Sequence, residues 1–181
     1  MVAEGHFWLW GKIEEDVALS LVLWLRRGHT TGAGNPIIHL CTSGDPGCAM
    51  LNVIDAIEGS AHPVTVIASG KCLSAGIPIL AAGHIRKASR FTQFMLHGAD
   101  GGVEEVVAQN NLQSSYLAER TAKSTDFWFK GILAGLWFYP QDALEWGLID
   151  EVLNEPASDV SIPPTENFYR QGTNYEAERP W

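Results

Sequence analysis

The run Gly70-Lys71-Cys72-Leu73-Ser74-Ala75-Gly76 is where these residue types first suggest chemistry. An apolar, β-rich stretch enters a tight turn and then a helix expected to open near Ser74. The first N–H groups of a helix have no partner inside it, and the aligned peptide dipoles place partial positive charge there. A serine attacking a carbonyl at that point would leave an oxyanion facing ready donors. Ala75 and Gly76 are small and leave room for substrate. The plainer reading is that Ser74 caps the helix. A serine nucleophile also needs a base to accept its proton. His97 ends the apolar run Phe94-Met95-Leu96 and precedes Gly98, so it can reach from a strand end to the start of a neighbouring helix. A lone histidine there also serves purely structural roles. A third piece is the turn Thr42-Ser43-Gly44-Asp45, which follows a strand, precedes a helix and can turn its own N–H groups toward the same point; it also reads as an ordinary connection. Lys71, three residues before Ser74, raises a Ser–Lys alternative, but a turn lysine is ordinarily solvated. Nothing marks Cys72 as a low-pKa thiol. Trp128, Trp137 and Trp146 read as core or interface anchors rather than a ligand cage.

The elements that must position these residues follow from periodicity. Strands are expected at 6–10, 36–41, 63–68, 91–96 and 148–153, and helices at 14–27, 48–59, 74–82, 103–123 and 125–134, with a helical turn over 140–146. Ser69-Gly70-Lys71 reads as a turn, and Gly83–Arg90 as a loop. Alternation of strand and helix predicts an α/β fold with buried, largely parallel strands. Residues 1–153 read as one domain, and 154–181, rich in Pro, Ser, Asn and Glu, as an extended or poorly ordered tail whose Trp181 is a frayed end or a docking residue.

Composition narrows the function classes. A chain of 181 residues is long enough for a full core without staples. Its net charge of −9, with no basic stripe, argues against broad nucleic-acid binding. No apolar run approaches a membrane span, and the first residues show no basic leader, so neither a membrane segment nor a signal peptide is expected. Three cysteines, an odd number without a secretion signal, point to reduced thiols in the cytoplasm. Cys and His are not at zinc-site spacings, so no metal and no cofactor is expected.

Taken together, the motifs resemble the ClpP family, the proteolytic subunits of the ATP-dependent Clp protease, over about 6–153 and in family order. Gly11-Lys12-Ile13 resembles an early glycine-x-isoleucine turn. Thr42-Ser43-Gly44-Asp45 stands where the family has Ser-Pro-Gly-Gly, and Gly70 to Gly76 where it has Gly-x-x-x-Ser-x-Gly. Phe94-Met95-Leu96-His97 resembles its Met-Ile-His, and Ala143-Leu144-Glu145-Trp146-Gly147-Leu148-Ile149-Asp150 its closing motif. The resemblance implies a crotonase-like spiral of ββα units, a protruding handle helix at 103–123, assembly into heptameric rings and peptide cleavage inside a closed chamber, with an AAA+ ATPase as partner. By position, Ser74 is then the nucleophile and His97 the general base, and the N–H groups of Asp45 and Ala75 form the oxyanion hole.

Four departures accompany the resemblance. Gly135 stands where the family's catalytic aspartate is expected; loss of that acid in a serine protease costs on the order of 10⁴ in turnover. Asp126, the nearest preceding acid, lies far back on a predicted helix. Asp45 replaces the oxyanion-turn glycine, the segment before the first strand is short, and the Ser74–His97 interval is about two residues shorter than the family's. Two other functions stand beside serine endopeptidase activity. One is a catalytically impaired structural ring subunit, which Gly135 supports. The other is a crotonase-type acyl-CoA enzyme, against which Ser74 and His97 speak.

Overall fold

The computed structural model describes residues 2–3, 5–28, 34–44 and 47–153. The N-terminal half alternates strand and helix: β1 (Val2–Ala3), β2 (His6–Lys12), α1 (Glu15–Gly28), β3 (Ile37–Gly44), α2 (Gly47–Glu58), β4 (Thr65–Leu73) and α3 (Gly76–Ala82). Then follow β5 (Ile85–Ser89), β6 (Gln93–Leu96), α4 (Val103–Arg120), α5 (Thr125–Ala134), β7 (Leu136–Phe138), α6 (Pro140–Glu145) and β8 (Glu151–Leu153). Acidic Glu15 and Asp16 open α1, and Arg26 and Arg27 close it, in the sense the helix dipole favours.

The sheet runs β1-β2-β3-β4-β5-β8, parallel from β2 onward, with β6 and β7 branching from it. Its register sorts the side chains into rows. Leu9, Leu40, Ala68, Ala88 and Val152 line up across five strands on the buried face, where they join the core with Ile54, Ile57, Ile77 and Leu80 from α2 and α3. The neighbouring row, Trp8, His39, Ile67, Lys87 and Glu151, faces the other way. Burying a Leu or Ile side chain is worth roughly 1.5–3 kcal/mol, so the alternation fixes the register: a slip of one residue would exchange the two rows.

Strand β4 does more than the sequence indicates. Ser69-Gly70-Lys71, expected as a turn, is continuous strand with Gly70 at φ 64°. There β4 changes partner: Thr65 to Ala68 pair with β5, and Lys71 to Leu73 with β6. The segment expected as a loop holds β5, whose Arg86 bonds Asp150 at 2.6 Å and the carbonyls of Arg120 and Gly147. The helix expected to begin at Ser74 begins at Gly76. The expected tail, 154–181 with Trp181, lies outside the described residues.

Candidate active site

Ser74 sits just past the end of β4, in the two-residue turn before α3. Its φ of 52° makes it the one non-glycine residue in the left-handed region among the described residues. Such a conformation costs on the order of 1–3 kcal/mol and persists only where its surroundings hold it. Two hydrogen bonds do so: the Ser74 N–H donates to Met95 O at 2.7 Å, and the Ile77 N–H donates to Ser74 O at 3.0 Å. The first ties the serine to β6, the strand that leads to His97. Ser74 is therefore not a helix cap but the corner of a strained strand-to-helix turn. Among the described residues the neighbouring Ala75 N–H donates to no backbone carbonyl.

The turn ending β3 is pressed against this corner. A Cβ at Gly44 would lie 2.7 Å from Ser74 Cβ and 3.2 Å from Ala75 N, and Gly44 has φ 97°, so only glycine fits. The turn is held by buried Thr42, whose hydroxyl donates to Gly11 O at 2.6 Å and accepts from the Gly44 N–H at 3.0 Å, and by Ile13 N–H on Gly44 O at 3.1 Å. Gly76 gives the second close approach: a Cβ there would stand 2.5 Å from Thr42 Cγ2. Asp45, the expected second oxyanion donor, lies outside the described residues, one position beyond Gly44.

His97 follows β6 directly and is half-buried. Strand β7, missed in the sequence because it is three residues long, pairs antiparallel with β6: Leu96 faces Leu136 and Met95 faces Trp137. Gly135 immediately precedes the last pair of that register, Leu96–Leu136, and is the residue that stands where the family's acid is expected. Gly135 closes α5 in a left-handed conformation, φ 69° and ψ 62°, its N–H bonded to the end of that helix. An aspartate at 135 is a gain only if φ is not positive, and that condition fails. Asp126 opens α5, about 13 Å away along the helix, exposed and paired with Lys130 at 2.8 Å.

The competing residues fall away on their surroundings. Lys71 is exposed. Cys72 is wholly buried, and burial, with nearby Cys41 adding to it, pushes its thiol far up from the ordinary range. Trp128 and Trp146 pack edge-on in the core with rings 5.9 Å apart, while Trp137 is exposed. The buried amides of α4 were not foreseen from the sequence. Its inward stripe is Asn110, Gln113, Ser114 and Leu117, polar side chains at core spacing. Asn110 Oδ1 accepts from the Ala99 N–H at 3.0 Å, two residues past His97. Among the described residues no group of three or more His, Cys, Asp or Glu could hold a metal ion, and no helix is long and apolar enough to cross a membrane.

Residues 2–156 match the family model described as Clp protease. The chain belongs to the Clp protease family. A relative in Streptococcus sanguinis (strain SK36), an ATP-dependent Clp protease proteolytic subunit, is 26% identical over 163 residues, covering 80% of this chain and 82% of its own. Among solved structures, ClpP1 from Listeria monocytogenes matches with a TM-score of 0.78 at 20% identity, over 84% of this chain and 93% of its own. A point mutant of the same protein gives 0.78 at 22%, over 84% and 92%. The α/β architecture of this Clp protease family member is thus that of ClpP.

Proposed function

We propose that this chain is a serine endopeptidase subunit that hydrolyses peptide bonds through Ser74 and His97 inside an oligomeric ring. The observation that carries the reading is the strained Ser74 corner, held by a hydrogen bond to β6, the strand that His97 directly follows. Strain of this kind at a polar residue in a glycine-lined turn marks a functional position. His97 takes the hydroxyl proton as Ser74 Oγ attacks the peptide carbonyl. The N–H groups of Ala75 and Asp45 hold the resulting oxyanion. Collapse expels the amine, which takes the proton from His97, and a water activated by the same imidazole hydrolyses the acyl-enzyme. With Gly135 in the place of the family's acid, the imidazolium is stabilised by neutral groups, each hydrogen bond worth about 0.5–1.5 kcal/mol, so turnover is slow.

Ring assembly, heptameric as in the family, and an AAA+ ATPase partner belong to the same proposal; the exposed Val103 and Val107 of α4 support assembly. Leu117 of the same helix is buried inward. Gly135 also favours a second reading, a ring subunit that keeps the site geometry without efficient chemistry. Cleavage of a fluorogenic peptide by the purified chain separates the two. Slow cleavage that Ser74→Ala abolishes, with assembly unchanged, supports the peptidase; cleavage that survives Ser74→Ala excludes it.

A further inference from the structure

We infer that Asn110 is a positioning residue for His97, acting on the backbone that carries the histidine; the inference rests on the Ser74–His97 reading and deepens it. Residues 97–100 have no regular structure. What fixes them is α4. Asn110 is only 2% exposed, and its Oδ1 accepts the Ala99 N–H at 3.0 Å. Gly98 lies against the same amide: a Cβ there would be 3.4 Å from Asn110 Nδ2 and 3.7 Å from Oδ1. The preceding side chain, Gln109, reaches the other flank of the site. A Cβ at Gly47, the first residue of α2 after the Gly44 turn, would be 2.9 Å from both Gln109 Nε2 and Oε1. Adjacent amides of one helix therefore abut both segments that must converge on Ser74.

The need for such a device follows from Gly135. An ordinary triad acid orients the imidazole through its ring nitrogen. The β6–β7 pairing ends at Leu96–Leu136, and Gly135, the residue before it, carries no side chain that could orient the ring. The ring is then directed by its backbone, and the backbone past it is anchored by the hydrogen bond from the Ala99 N–H to Asn110. A buried amide is costly to leave unpaired, so Asn110 on an inward stripe is explained by the bond it makes.

The test compares Asn110→Leu, which keeps the volume and loses the acceptor, with Asn110→Asp, which keeps the acceptor, and with Gln113→Leu, another buried amide of α4. In Asn110→Leu, the Ala99 amide should exchange roughly two- to tenfold faster, the His97 ring resonances of isotope-labelled protein should shift or broaden, and fluorophosphonate labelling of Ser74 should slow by at least the same factor. Asn110→Asp should restore all three to within about threefold, allowing for its added charge. Unchanged His97 resonances in folded Asn110→Leu would overturn the inference. So would an equal response in Gln113→Leu, which would mean general loosening of α4. If wild-type Ser74 takes no label while the exchange and His97 signals respond as expected, the positioning claim stands and the peptidase reading fails.

Discussion

Ser74 and Gly44 share one constraint. The corner at Ser74 exists because Gly44 has no side chain, and the gap between them closes to 2.7 Å once a Cβ is built. Gly44→Ala should therefore push the oxyanion turn off Ser74 and Ala75. We expect peptide cleavage to be lost and stability to fall by about 1–3 kcal/mol from overpacking and the positive φ; kinetics and thermal unfolding would show both, and a variant with normal turnover would refute the contact's role. Gly135 sets the opposite limit. Its Cβ would meet nothing within 4 Å, yet its backbone is left-handed. Gly135→Asp should lower the stability by roughly 1–2 kcal/mol, the cost of a side chain in the left-handed region, and with it the unfolding temperature, without a large gain in turnover; a tenfold gain would show that the acid seats itself despite the backbone. The places of Ser74, His97 and Gly44 at strand ends were legible because their neighbours are small or apolar there. Asn110 was not, because a Gln-Asn-Asn run on a polar helix reads as solvated until the helix is seen to bury that stripe.

Among the elements, strands buried on both flanks were visible in the sequence, and the pieces that redirect them were not. Strand β4 reads as ending at Ala68 because Ser69-Gly70-Lys71 has turn composition, whereas it continues by exchanging β5 for β6. Strand β5, Ile-Arg-Lys-Ala-Ser, has no apolar alternation because its charges meet β8, Lys87 with Glu151 and Arg86 with nearby Asp150. The β2–β3 pair carries a titrating contact. His6 Nδ1 and His39 Nε2 are 3.0 Å apart, and Trp8 stacks on His39 with ring centroids 4.9 Å apart. Burial first, and the charge of His6 second, lower the pKa of His39 from the usual 6.5. The unfolded chain then binds the extra proton more readily. The stability this gives is complete above about 6.5 and is lost as pH falls toward the depressed folded value. His39→Gln should flatten the pH dependence of the unfolding temperature between about pH 7 and 5; an unchanged slope would contradict it.

The molecule as a whole is a sheet packed against helices, with the Gln109 and Asn110 amides of α4 abutting Gly47 and the Gly98–Ala99 segment. Its α/β class followed from alternation alone, and its ClpP-like architecture from five motifs in order. Exposed apolar side chains are spread over the outside: Trp10 at 71%, Val103 at 81% and Leu133 at 64%. Scattered single residues are ordinary on a monomer, but together with the family's architecture they fit burial between copies. Sedimentation at micromolar concentration should show an oligomer, and a monomer would count against ring assembly. Whether the site is chemically alive is decided most directly by an active-site probe. A fluorophosphonate reacts only with a serine whose proton a base removes. The wild-type chain should be labelled slowly and at Ser74 alone, with labelling abolished in Ser74→Ala and strongly reduced in His97→Ala. A wild type that takes no label, or one labelled equally well without His97, would contradict a Ser74–His97 peptidase.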